Sequence, residues 1–162
     1  MNQTVLLVED DENDVYFMQR AFRDANIITP LNVVTDGRQA LEYLKGEGEY
    51  CDREKFPLPC LILLDLKLPY VLGLDVLKWL REHNEFDTMV VVVLTSSKQD
   101  ADIEKAYNLG ANSYLVKPPD ADQLLEMVKR IKLYWMEINQ LGPFCVEIAH
   151  RRSAALTDAQ HK

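Results

Sequence analysis

The sequence predicts an α/β domain built on one five-stranded parallel sheet with helices on both faces. Three observations carry this. Short apolar, β-branched runs alternate with helix-length amphipathic segments five times, the pattern of right-handed βα crossovers. Three of those runs (Val5 to Val8, Cys60 to Leu64, Met89 to Leu94) are apolar at every position, as strands buried on both faces must be. The runs also end in three acids, a hydroxyl and an ammonium: Glu9 and Asp10 after the first, Asp65 after the third, Thr95 at the end of the fourth, Lys117 after the fifth.

Val5 to Val8 is the first strand. A helix opened by Asn13 or Asp14 follows, with Val15, Met18, Phe22 and Ala25 at helical spacing. Pro30 breaks the chain before a short second strand, Leu31 to Val34. Asp36-Gly37 is a turn and cap for a helix with Ala40, Leu41 and Leu44 on one face, stopped by Gly46 and Gly48. Residues 46–59 form a long polar connection containing Tyr50, Cys51, Phe56, Pro57 and Pro59. After the third strand, a helix carrying Leu74, Leu77 and Leu80 runs to about His83. The valine-rich fourth strand is the most strand-like segment of the chain. A helix from Ala101 to Leu109, stopped by Gly110, leads to the fifth strand, Ser113 to Val116. Pro118-Pro119 opens one long final helix.

The length of 162 residues suits one domain with a sizeable core, here 1–138, followed by an extension, 139–162. The formal net charge of −8 argues against binding nucleic acid or an anionic membrane. No leader or apolar span is evident near the start, and Cys51, Cys60 and Cys145 have no paired spacing. Together these predict a cytoplasmic protein with reduced thiols. His83, His150 and His161 are too scattered for a ligand set.

Ligands of open α/β sheets bind at the carboxyl ends of the strands. A parallel sheet would bring Glu9, Asp10, Asp65, Thr95 and Lys117 into one crevice. Taken singly, each has a plain structural role: Asp65 as a turn residue, the acids as first-turn helix charges, Thr95-Ser96-Ser97 as a cap, Lys117 as a solvated lysine. Their coincidence at four strand ends is what points to one ligand site.

The motifs Val8-Glu9-Asp10, Leu64-Asp65-Leu66-Lys67-Leu68-Pro69, Gly73, Leu94-Thr95-Ser96-Ser97 and Tyr114-Leu115-Val116-Lys117-Pro118 occur in order, with Asp65 30 positions before Thr95 and 52 before Lys117. In this the chain resembles the receiver domains of bacterial two-component response regulators, over about residues 4–138. The resemblance implies a flavodoxin-like sheet of strand order 2-1-3-4-5. It implies that Asp65 accepts a phosphoryl group from a sensor histidine kinase with Mg²⁺. Asp10, Asp65 and the backbone carbonyl of Lys67 would be direct metal ligands, with Glu9 acting through water. Many family members carry aspartate at the position of Glu9. Lys117 would contact one phosphoryl oxygen and Thr95 another, with Tyr114 as the switch aromatic. A cis peptide between Lys117 and Pro118 is implied as well. Such a chain is a phosphoacceptor and not a turnover enzyme.

Few residues follow Lys117, too few for an output domain of ordinary size, so a stand-alone regulator working by protein contact is expected. In the last helix Leu124, Val128, Ile131, Trp135 and Ile138 repeat at spacings of four and three. Met127, Tyr134 and Leu141 form a second stripe, and Leu141 to Ile148 is an apolar arm. Homodimerisation through Ile131, Tyr134, Trp135, Ile138 and Phe144 is expected, the alternative being an arm that folds back on its own domain. The long 46–59 connection and the C-terminal extension resemble the small regulators paired with bacterial phytochromes and related light-sensing kinases. Two other readings are a receiver-fold interaction module that works without phosphorylation and a haloacid-dehalogenase-like phosphatase. The second of these wants an acid two residues after the nucleophile, where this chain has Lys67.

Overall fold

The computed structural model describes residues 4–140. Five parallel strands, β1 (Val5–Val8), β2 (Leu31–Val34), β3 (Leu61–Leu64), β4 (Val90–Thr95) and β5 (Ser113–Val116), form one sheet in the order β2-β1-β3-β4-β5. The predicted flavodoxin-like architecture is the one observed. The helices are α1 (Glu12–Asp24), α2 (Gly37–Lys45), α3 (Gly73–Glu82), α4 (Asp100–Asn108) and α5 (Ala121–Ile131).

Period-two alternation divides the core between the two faces. Leu6, Val8, Ile62, Leu64 and Val91 pack with Ala40, Tyr43, Leu44, Val76, Leu77 and Leu80 of α2 and α3. Val5, Leu7, Leu61, Leu63, Val92 and Leu94 pack with Met18 and Phe22 of α1 and Val128 and Ile131 of α5. Every residue of β1, β3 and β4 is buried. Each such Val or Leu contributes about 1.5–3 kcal/mol over its exposed state, which is why these runs outcompete helix in the middle of the chain.

The helix ends follow local chemistry. Asp11, two or three residues earlier than expected, caps α1 by accepting from the N–H groups of Asn13 and Asp14. Asp36 caps α2 through Gln39 N–H, and Gly46, at φ 74°, ends it. The connection after α2 is better packed than its composition suggests. The rings of Tyr43, Tyr50 and Phe56 meet at centroid distances of 5.1–6.0 Å. The Arg53 guanidinium donates to the last carbonyls of α2, at Tyr43 (2.7 Å) and Leu44 (2.6 Å).

The final helix is not one uniform α-helix. After Ile131 the chain widens into a π-helical stretch, Lys132–Ile138. The a/d pattern therefore does not run straight. Trp135 packs partly on its own core, whereas Tyr134 is 53% and Ile138 58% exposed. Ile131 is only 3% exposed, inside the α1/α5 core, so it is withdrawn from the expected dimer residues. Phe144 and the arm lie outside the described residues. No helix of the described residues is long and apolar enough to cross a membrane.

Candidate functional site

Strand register builds the site. Val8 pairs with Leu64, Leu64 with Val93, and Thr95 with Val116, so the strand ends finish almost level. The ladder continues one bond past them: Glu9 N–H donates to Val34 O, Asp65 N–H to Val8 O, and Lys117 N–H to Thr95 O. Glu9, Asp65 and Lys117 each follow by two residues a side chain packed in the α1/α5 layer, namely Leu7, Leu63 and Leu115. They keep the alternation and meet on that side of the crevice.

The Lys117 ammonium is the hub. Its Nζ lies 2.5 Å from Glu9 Oε2, 2.8 Å from Asp65 Oδ2 and 2.8 Å from Asp14 Oδ2. Glu9 is 3% and Asp65 6% exposed, while Asp10 is at the surface. Burial pushes the Glu9 carboxyl up to about 6, and the attraction of Lys117 offsets only part of it. Burial alone would lower the pKa of Lys117. The hydrogen bonds it donates to Asp14, Asp65 and Glu9 outweigh it and hold the ammonium well above the ordinary lysine range. Lys117 is thus charged at any physiological pH.

Glu9, Asp10 and Asp65 can each offer an oxygen, all within 4.8 Å of one another. Carboxylate oxygens are the donors a hard divalent cation takes. Three carboxylates against one ammonium leave an excess of negative charge that such a cation would neutralise. This donor set fits a divalent metal. Lys67 follows on the same loop, its N–H donating to Asp65 Oδ1 at 3.3 Å.

Thr95 is fully buried on the other side of the crevice, where its hydroxyl accepts from Ser97 N–H at 3.4 Å. Tyr114 is half-buried against the layer of Leu66, Val93 and Ala106, and its hydroxyl donates to Ser97 O at 3.2 Å. Ser97 Oγ donates to Asp102 of α4 at 2.5 Å. The loop after β4 is therefore tied both to Tyr114 and to α4. The Lys117–Pro118 peptide is trans, as are all peptides of the described residues, which corrects the cis bond implied by resemblance. The trans form is favoured by about 0.5–1 kcal/mol in X–Pro bonds, and in it Lys117 already reaches the acids.

Asp14, expected only as an opener of α1, is the one residue of the Lys117 cluster that the strand ends do not point to. The available signal was spacing: Asp14 lies four residues after Asp10, one helical turn over the crevice.

Comparison with known proteins agrees with this geometry. The response regulator receiver domain family matches residues 5–129. The chain is 36% identical over 135 residues to response regulator Rcp1 of Synechocystis, covering 83% of this chain and 90% of Rcp1. The crystal structure of the Mn²⁺-bound form of Rcp1 superposes with a TM-score of 0.78, over 86% of this chain and 99% of that one. The phosphorylated cyanobacterial phytochrome response regulator RcpA is similar at 37% identity and a TM-score of 0.78, over 87% and 99% of the two chains.

Proposed function

The chain belongs to the response regulator receiver domain family, and on that premise we propose that Asp65 accepts a phosphoryl group from a sensor histidine kinase and that the chain then signals by protein contact. Phosphorylation on aspartate is the general mechanism of this family. The observation that carries the assignment to Asp65 is its nearly buried carboxylate at the end of β3, 2.8 Å from the Lys117 ammonium.

In the transfer, a carboxylate oxygen of Asp65 attacks the phosphorus of phosphohistidine. A P–O bond forms and the P–N bond breaks. The electron pair goes to the imidazole, whose other nitrogen already bears a proton, so neutral histidine leaves and an acyl phosphate remains. The protein's task is positioning and charge neutralisation. Lys117 holds the nucleophile before transfer and a phosphoryl oxygen after it. Asp10, Asp65 and the Lys67 carbonyl would hold Mg²⁺ directly and Glu9 through water; the ion supplies neutralisation of the transferring phosphoryl oxygens. The Mn²⁺-bound form of Rcp1 supports a divalent ion. Thr95 turns its hydroxyl to the new phosphoryl group, and Tyr114 moves into the space released. The bonds of Ser97 to Tyr114 and Asp102 make the loop after β4 the two-state element.

The same reading makes the chain a single-domain regulator in the cytoplasm, with self-catalysed gain and loss of phosphate but no turnover of a separate substrate. Its partner is a phytochrome-type kinase, supported by the likeness to RcpA. It forms a homodimer through Tyr134, Trp135, Ile138 and the arm bearing Phe144. The net charge of −8 supports protein partners over nucleic acid or membrane.

The test is intact mass after incubation with acetyl phosphate, with and without Mg²⁺, for wild type and Asp65→Asn. A Mg²⁺-dependent gain of one phosphoryl group that the variant lacks is expected. No gain in the wild type, with the cognate kinase as donor too, would favour a phosphorylation-independent binding module.

A further inference from the structure

Lys117 has three N–H donors, and three carboxylates surround it: Glu9, Asp65 and Asp14. The first two belong to the crevice of the sheet. Asp14 comes from another element, the first turn of α1, and its side chain is 45% exposed. Asp11 caps that helix, and Glu12 already supplies a first-turn acid, so the needs of α1 leave the Asp14–Lys117 contact unexplained. We propose that Asp14 is a positioning residue for Lys117, competing with the phosphoryl group on Asp65 for the ammonium and thereby shortening the phosphorylated state.

This role for Asp14 rests on Asp65 being the phosphoacceptor. Two oxygens that share one nitrogen are near neighbours, so a phosphoryl group on Asp65 adds its charge close to the Asp14 carboxylate. Like charges at that separation repel, and both draw on one cation. Of the three present partners, Glu9 is too buried to be rehydrated without cost, and Asp65 itself carries the phosphoryl group. Only Asp14 can swing into water when Lys117 turns to the phosphoryl oxygens. As long as it stays, it withholds part of the ammonium from the acyl phosphate.

The experiment follows phosphoryl loss by intact mass, after labelling with acetyl phosphate and Mg²⁺ and removal of the donor, in wild type, Asp14→Asn and Asp14→Glu. The expected lifetime in Asp14→Asn is longer by about three- to fivefold, the scale of a partly screened charge pair. Asp14→Glu restores the charge and decays within about twofold of wild type. Thermal midpoints are recorded alongside, because a merely structural role would move the midpoint and leave the lifetime alone. Decay of Asp14→Asn at the wild-type rate or faster, with label on Asp65, overturns this inference only. A wild type that takes no label, or label that persists in Asp65→Asn, overturns the phosphoacceptor reading and the inference with it.

Discussion

A Cβ on Gly73 would stand 2.0 Å from the main-chain oxygen of Asp65. The start of α3 lies directly against the exit of β3, and Gly73 N–H donates to Leu66 O at 3.1 Å. The backbone of the central carboxylate is thus held by a helix terminus that only glycine lets approach so closely.

Gly73→Ala is therefore expected to destabilise the fold by about 3 kcal/mol, because the obstructing atom is backbone and cannot rotate away. Denaturant unfolding checks this. Labelling of Asp65 by acetyl phosphate should slow in the same variant, since relief of the clash must move that residue. An unchanged unfolding midpoint would mean that the β3–α3 loop yields freely.

The pH dependence of stability should carry the mark of Glu9. Its carboxyl is raised from 4.5 to about 6 by burial, so the folded state binds a proton that the unfolded state has already released. The stability associated with this group is fully present below pH 4.5 and is lost as pH rises through about 6, on the order of 2 kcal/mol. Glu9→Gln should flatten the unfolding free energy across that window. A slope that persists in the variant would assign it to another group.

Added Mg²⁺ should raise the thermal midpoint at pH 8. The gain reaches about 2.7 kcal/mol when the ion is a hundredfold above its dissociation constant. Chelation should reverse it. The shift should shrink at pH 5, where Glu9 holds its proton and presents less charge to the ion. Asp10→Asn should weaken the shift at both pH values, and an undiminished shift would exclude Asp10 as a ligand.

Arg53 bridges Tyr43 O, Leu44 O and Phe56 O. Its truncation to alanine leaves these carbonyls without that donor and should cost about 2 kcal/mol by chemical denaturation. The labelling rate of Asp65 should not change, because the connection lies at the other end of α2 from the crevice. A slowed rate would show coupling between the two.

The strands were legible because burial on two faces forces unbroken apolar runs. Leu31–Val34 and Ser113–Val116 were read at their observed bounds, and Glu9, Asp10, Asp65 and Lys117 were placed together by strand ends alone. What escaped the sequence depends on side-chain reach or helix geometry. Asp14 has the look of a helix opener in the sequence, and only the alternation of β1, β3 and β5, which turns Lys117 toward α1, brings it to the site. The register of the last helix changed because a π-helical turn has no strong compositional mark. Ile131 fitted an exposed stripe at ideal helical spacing, yet the sheet needed it as core. Arg53 belongs to no motif of the long polar connection. Its role depends on side-chain reach, because the contact with Tyr43 O, Leu44 O and Phe56 O exists only once the connection folds back on the end of α2.

The most direct measurement is to locate the modified residue. Protein labelled with acetyl phosphate and Mg²⁺ is treated with borohydride, which reduces an acyl phosphate to the alcohol, then digested and mapped by mass spectrometry. Homoserine at position 65, and nowhere else, is the predicted result. Reduction at Asp10 or another acid, or a phosphate that survives on a hydroxyl residue, would contradict the assignment of Asp65 as the phosphoacceptor.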